Sequence, residues 1–434
     1  MSKTERAQNL RYEHFTVEGD PGTSDPRGAQ FVRAIDYGFL EKERPDELVI
    51  AQLDRFRAEN ATLTTVFDDA QDPRALAADR PVATFGDFTG SVCVREGVVV
   101  PARMITEVTV RSTHRRRGIL SRMMRDGLTR AAESGAPLAA LTASEGGIYG
   151  RFGFGASAYS VSATVQVFHG LRLRERVRET VDSSGLTVFV PSWDAFPELY
   201  REAYDAFQRE TPGQIGHTHA YRRRTHGDAN PWALAGDEKT WRPLAVVDAD
   251  GAAVGYAISV ADGRSLRIVD LGAATPIAEI ALWDALGATD LIEELVWEEA
   301  PIDFMLPSAL VDARDVAFTS RHDHLWLRVL DLPTAFAARG LRAEGSITVR
   351  VHDREGFAAG AWEISRVDGE TTAVLLPEDA DTVIELDAET LATLYLGTVR
   401  VRNLASTGRA RIDDLDLASA LFDDVRAPRN SYTF

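Results

Sequence analysis

A β-branched run from Ile105 to Val110 leads into four consecutive basic residues, His114 to Arg117, and then Gly118. Beyond the glycine, Ile119, Leu120, Met123, Met124 and Leu128 fall at helical spacing. The segment reads as a strand, a basic loop and a helix, and a second apolar run, Leu138 to Leu141, follows as the next strand. A helix N-terminus at the end of a strand presents N–H groups without partners and the positive end of the helix dipole, which together suit a diphosphate. Gly118 allows the backbone to come close to the phosphate, and Arg115, Arg116 and Arg117 add guanidinium forks that match phosphate oxygens. Four basic residues in a row also describe a solvated face or a nucleic-acid patch. Against nucleic acid stands the net charge of −18. The other compact basic run, Arg222 to Arg224, has no glycine-bearing turn beside it.

This segment resembles the acyl-CoA site of GNAT N-acetyltransferases, whose motif is Arg or Gln, two residues, Gly, one residue, then Gly or Ala. Arg115, Gly118 and Leu120 fall on those positions, with Leu120 in place of the small residue. A narrower resemblance covers most of the chain. The strings T-H-R-R-R-G-I-L and A-S-E-G-G-I-Y-G-R-F-G-F-G resemble the enhanced-intracellular-survival (Eis) family of actinobacterial acetyltransferases, which shares that leucine. The likeness returns at Leu325 to Gly340, at Leu394 to Gly397 and at the aromatic C-terminus, Phe434.

A chain of 434 residues is too long for one ordinary core, so two or three domains are expected. No stretch has the roughly 18–20 apolar residues of a membrane span, and the opening M-S-K-T-E-R-A-Q-N-L lacks the apolar centre of a signal peptide. The single cysteine, Cys93, allows no intrachain disulfide and no thiolate metal site, and its alternating context makes it buried filler. These features lead us to expect a cytoplasmic protein without membrane or nucleic-acid partners. The acidic surface attracts polycations, or serves solubility alone.

Helices are predicted from Gln30 to Phe39 and from Pro45 to Asn60. Strands are predicted at Thr62–Phe67, Val82–Phe88, Ser91–Val94 and Val98–Pro101, ahead of the basic loop. Beyond about residue 165 the pattern recurs. A helix at Trp193–Arg209 and a second near Thr218–Thr225 precede a hairpin, Pro243–Val247 and Ala253–Val260, around the turn Asp248–Gly251. A strand at Ser265–Leu271 then leads through Thr275-Pro276 into a helix ending at Leu286. The loop there, G-A-A-T-P, has no basic residue and no glycine at the helix start, so we expect a second GNAT-like fold without a phosphate site; an unrelated α/β insert is the alternative. The last part opens with a strand (Ser320–Leu330) and a helix (Pro333–Arg339). Strands at Ile347–Val351, Trp362–Arg366 and Thr371–Leu376 follow, then a helix capped by Asp387. His322, Asp323 and His324 have no further ligand cluster nearby in sequence, so no metal is expected. The resemblance implies a sterol-carrier-protein-like shape for this part. The expected architecture is therefore α/β (α+β): a catalytic GNAT domain over 1–165, a degenerate GNAT-like domain over 166–317 and a sterol-carrier-protein-like α+β domain over 318–434.

The resemblance also implies a chemistry, acetyl transfer from acetyl-CoA to an amine. The pantetheine arm would pair with Val108, Thr109 and Val110 as an added strand. Arg116, Arg117, Gly118, Ile119, Leu120 and Ser121 would hold the diphosphate, with Ser144 and Glu145 also on the cofactor. Tyr149 would be the general acid, since a phenol of pKa about 10 is protonated at neutral pH. Read without the family, Tyr149 is one aromatic in a packed turn with Phe152 and Phe154, where Gly146, Gly147 and Gly150 allow unusual backbone angles. The base would be the terminal carboxylate of Phe434, although chain ends are commonly frayed. The implied acceptor is a cationic amine: an aminoglycoside, another polyamine or a lysine side chain. Tyr37, Asp36 and Glu41 are candidates to line its pocket, and Thr433 stands where the family often has an acid. The implied assembly is a hexamer. A non-catalytic CoA- or lipid-sensing protein on the same folds is the competing reading.

Overall fold

The computed structural model describes residues 9–72, 74–76, 80–219, 241–424 and 426–434. The first region contains β1 (Leu10–Phe15), α1 (Pro26–Gly38), α2 (Asp46–Ala58), β2 (Thr62–Asp68), β3 (Ala83–Arg95), β4 (Val98–Val110), α3 (Ile119–Glu133), β5 (Leu138–Leu141) and β6 (Gly155–Gln166). The second contains α4 (Glu175–Ser183), β7 (Thr187–Phe189), α5 (Phe196–Glu210), β8 (Arg242–Val247), β9 (Ala253–Asp262), β10 (Ser265–Ala273), α6 (Pro276–Gly287), β11 (Glu294–Pro301), α7 (Leu306–Ala309) and β12 (Val316–Val329). The third contains α8 (Leu332–Arg339), β13 (Gly345–His352), β14 (Gly360–Val367), β15 (Glu370–Leu376), β16 (Ile384–Asp387), α9 (Ala388–Tyr395), α10 (Val401–Ser406), β17 (Ala410–Ile412) and α11 (Leu415–Phe422). The helix expected near Thr218–Thr225 lies, from residue 220 onward, outside the described residues.

Helix starts follow local chemistry. Asp25 accepts hydrogen bonds from the N–H groups of Arg27 and Gly28 and caps α1, with Pro26 in its first turn. Thr275 caps α6 in the same way ahead of Pro276, and Asp387 caps α9 through the Thr390 N–H. The strands depart from the sequence reading. Val82–Phe88 and Ser91–Val94 belong to one strand, β3, and Val98–Pro101 and Ile105–Val110 to one strand, β4. Gly90 opposite Ala102 and Thr89 opposite Arg103 pair across the expected breaks, so cross-strand partners override the local signal.

The two GNAT-like regions share a single sheet, in the order β1-β2-β3-β4-β5-β12-β6-β11-β10-β9-β8-β7. Each region's last strand sits beside the other region's sheet. β12 pairs with β5 (Trp326 opposite Leu141), and β6 pairs with β11 (Glu294 opposite Gln166). β12 and β6 also pair with each other, which makes the sheet continuous. The sheet thus takes in Val316–Val329, whereas the third region's own sheet, β15-β14-β13-β16-β17, begins at Gly345. One apolar core, including Phe31, Phe56, Phe88, Leu325 and Tyr395, runs from the first region into the third. A separate core around Trp283, Trp297 and Phe304 fills the second. Among the described residues no helix is long and apolar enough to cross a membrane.

Candidate active site

β4 and β5 run parallel and pair only from Ala102–Met104 to Leu138–Ala140. β4 continues to Val110, so its outer half leaves its neighbour and exposes backbone groups along one edge. A bulge marks the departure. The register with β3 shifts between Thr84 and Gly86, and Glu107 adopts φ +55°. The Thr84 hydroxyl donates to the Glu107 carbonyl at 2.8 Å and holds the bulge in place. α1 closes over this edge. A Cβ on Gly38 would overlap the Thr109 side chain, so only glycine permits the approach.

A cavity of about 340 Å³ lies along the splayed strand. Val108, Thr109, Val110, Arg116, Gly118, Ile119, Leu120, Ser121, Ser144, Glu145 and Tyr149 line it, as do Arg115 and His114. At its far end α3 begins at Gly118, which has φ +81° and no side-chain cap on the N–H groups that follow. A β-carbon on Gly118 would meet nothing within 4 Å, so the left-handed angle is the reason for glycine there. The residues present suit an acyl-CoA: an open strand edge for an amide-rich arm, then bare helical N–H groups and two arginines for a diphosphate.

Arg117 departs from the expectation. It is absent from the cavity lining, and its Nη1 lies 3.0 Å from Asp68 Oδ2. Nε2 of His114 lies 3.0 Å from the same oxygen. Burial works against the Asp68 carboxylate, but hydrogen bonds from the Ala70 N–H, His114 and Arg117 prevail and keep its pKa below the ordinary value. Arg117 therefore braces the loop from behind, drawn there by a largely buried acid at the end of β2, while Arg115 and Arg116 face the cavity.

A second cavity of about 280 Å³ adjoins the first, and Phe39, Val108, Ser144 and Tyr149 line both. Its other walls include Glu41, Glu107, Thr142, Thr433 and Phe434. The chain end is packed in place. The Phe434 ring meets Phe88 edge-on at 6.0 Å, and the Thr142 hydroxyl donates to the Phe434 main-chain oxygen at 3.4 Å. Tyr149 is only 7% exposed. Burial, and then the Glu145 carboxylate, raise its pKa above the phenol value of 10.0. Burial likewise raises the Glu107 pKa, against the pull of Arg55 and Arg44.

Other expectations need correction. Gly146, Gly147 and Gly150 do not take left-handed angles; Gly153 does, at φ +80°. Gly150 is instead a point of close approach, since a Cβ there would overlap the Glu389 carboxylate of α9. Glu41 lines the second cavity, but Tyr37 and Asp36 line neither. Tyr37 lies under the Arg111 guanidinium at 5.6 Å, and Asp36 is buried against Arg44, which donates to it at 2.7 Å. Glu107 and Phe39 escaped the sequence reading; an acid within a β-branched run was the one available signal for the first. His322 and His324 face Glu299, at 3.2 and 3.4 Å, and His324 Nδ1 also lies 2.6 Å from the Asn430 carbonyl. No group of three His, Cys, Asp or Glu side chains suited to a metal occurs among the described residues.

Comparisons with known proteins bear on the family and the fold. Residues 26–157 match an Acetyltransferase (GNAT) domain family, residues 217–339 match a second one, and residues 332–430 match a sterol carrier protein domain family. The chain is 34% identical over 414 residues to an uncharacterized N-acetyltransferase of Streptomyces griseus, covering 92% of this chain and 95% of that one. It is 33% identical over 330 residues to N-acetyltransferase Eis of Mycobacterium tuberculosis, covering 75% and 78%. The chain belongs to the Eis family of GNAT N-acetyltransferases. Among solved structures, Eis1 from Mycobacterium abscessus superposes with a TM-score of 0.76 at 22% identity, covering 98% of this chain and 100% of that one. A GCN5-related N-acetyltransferase from Anabaena variabilis gives 0.76 at 17% identity, with the same coverage. These structures share the Eis-type fold, two GNAT units followed by a sterol-carrier-like domain. Like other GNAT enzymes, an Eis-family chain uses acetyl-CoA to transfer an acetyl group.

Proposed function

We propose that the protein transfers acetyl from acetyl-CoA to a primary amine of a polycationic acceptor, an aminoglycoside or a lysine side chain, with Tyr149 as general acid and the Phe434 carboxylate as general base. One observation carries the reading: Tyr149 lines both cavities, the one with the basic loop and the one with the chain end. A cofactor lying along β4 brings its thioester to that junction. The amine enters through the second cavity, where the partly exposed Glu41 favours a cation. Its nitrogen attacks the thioester carbon as its proton passes to the Phe434 carboxylate. The carbon–sulfur bond then breaks, and the Tyr149 hydroxyl gives its proton to the departing thiolate. Before the next cycle Tyr149 takes up a proton from solvent and the Phe434 carboxyl releases the one it received, so the two groups return to their starting states. The raised Tyr149 pKa keeps the phenol protonated over the whole neutral range.

The test combines the protein with acetyl-CoA, a panel of amines and a thiol reagent. Free CoA should appear in the presence of a polyamine. Appending Gly-Gly after Phe434 converts its carboxylate to a peptide and should reduce kcat about 10²-fold, to a residual rate still above background, while acetyl-CoA binding and the melting temperature hold. Full activity in the extended chain overturns the role of Phe434. No thiol release with any amine favours a CoA- or lipid-sensing protein instead.

A further inference from the structure

The second GNAT-like fold repeats the splayed cleft of the first. β10 and β11 run parallel and pair only from Ser265–Ile268 to Glu294–Trp297. β10 leaves β11 and continues to Ala273 paired with β9 alone, and a bulge between Ile268 and Asp270 marks the departure, as the bulge at Glu107 does in β4. α6 then follows β10 as α3 follows β4. The counterpart of the acyl-carrier cleft is therefore present in the second fold, but its basic loop is not.

That cleft holds a side chain from the far end of the molecule. Arg429 is 6% exposed, and its Nη2 donates to the Leu271 carbonyl at 2.8 Å, on the splayed half of β10. Its Nη1 lies 3.3 Å from Glu279 in the first turn of α6. The guanidinium stacks on Trp297 of β11 at 4.8 Å and on Phe207 of α5 at 4.9 Å. Its backbone is held too. The Arg429 N–H donates to the Pro212 carbonyl at 2.9 Å, and Gly213, at φ +90°, leaves room that a Cβ would take from the Arg429 carbonyl. From this anchor the strap continues through buried Asn430, Ser431 and Tyr432 to Phe434 in the acceptor cavity.

We propose that the cleft between β10 and β11 of the second fold is a socket for Arg429, and that this socket positions the Phe434 carboxylate in the active site of the first. Arg429 is a positioning residue and touches no substrate. The assignment rests on the role given to Phe434 above. It also gives the degenerate fold a task in catalysis, since a strap free to shift by an ångström would move the base out of line with the amine.

The test is steady-state kinetics on two variants. Arg429→Lys keeps the charge opposite Glu279, and with it the fold, but loses the fork and the stacking. The pair Arg429→Met with Glu279→Gln removes both buried charges together and leaves neither unpaired. In each, kcat should fall about tenfold or more while KM for acetyl-CoA stays unchanged, with Arg429→Lys the milder. Repeating both substitutions in the Gly-Gly-extended chain should lower kcat no further, because both act through the same carboxylate. Wild-type kcat in Arg429→Lys, or an additive loss in the extended chain, overturns the positioning role. If the extension alone leaves kcat untouched, it is the role of Phe434 that fails, and the two failures are told apart.

Discussion

Gly155 of β6 lies directly beneath the backbone of Glu389 in α9: a Cβ on Gly155 would overlap the Glu389 carbonyl oxygen and crowd the Thr393 hydroxyl and N–H. Gly150 meets the same residue, but at its carboxylate. The turn that carries Tyr149 is thus seated against the sterol-carrier-like domain. Gly155→Ala must push backbone against backbone, and we expect it to cost about 1–3 kcal/mol. Gly150→Ala should cost less, because the Glu389 side chain can swing aside. Denaturant melts of the two variants check the order.

Tyr149→Phe should lower kcat by about 10²- to 10⁴-fold, the usual share of a general acid, and leave KM for acetyl-CoA near wild type. Since burial raises the Tyr149 pKa above the phenol value of 10.0, the wild-type rate should show little loss from this group up to about pH 9. A pH–rate profile from 7 to 10 checks this, and a high-pH limb starting near 8 would contradict it.

Gly118→Ala puts a side chain into empty space but at φ +81°. We expect a stability loss of about 1 kcal/mol and a larger effect on the cofactor, because the start of α3 must shift to relieve the strain. KM for acetyl-CoA should rise while KM for the amine does not. Arg116→Ala should also raise KM for acetyl-CoA. Arg117→Ala should act through the loop, with a drop in melting temperature that Asp68→Asn reproduces.

His114 and His324 both have pKa values lowered below 6.5, in each case chiefly by burial. For His324 the Glu299 carboxylate and the Asn430 carbonyl pull the other way, and His322 adds to the lowering. The folded chain therefore binds fewer protons than the unfolded chain. The stability that depends on neutral histidine is present above pH 6.5 and is lost as pH falls through the lower folded pKa values. Melting temperature should drop between pH 7 and pH 5, and His324→Asn should flatten that slope.

Cys93 is buried, and burial pushes its thiol pKa up to about 12. It should resist alkylation at pH 8 in the folded protein and react once the chain is unfolded in denaturant. Mass measurement of labelled protein before and after unfolding checks both.

Sequence periodicity and turn chemistry sufficed for the strand, basic loop and helix around Gly118, for Pro276 at the start of α6 and for the cap at Asp387. All of these depend on residues within one or two turns of each other. The resemblance implied the roles of Tyr149 and Phe434, the first through the distinctive string around it and the second as the aromatic last residue. Other features needed the folded chain. Arg117 and Arg116 are adjacent arginines in the sequence, and only the position of Asp68 at the end of β2 turns one inward and leaves the other on the cavity. Glu107 reached the second cavity through a bulge that Thr84 holds from the neighbouring strand. The exchange of β6 and β12 between the two GNAT folds, and the seating of Arg429 between β10 and β11, join segments far apart in the chain. Such contacts are decided by which surfaces remain to be buried after each local element has formed, a quantity no stretch of sequence contains.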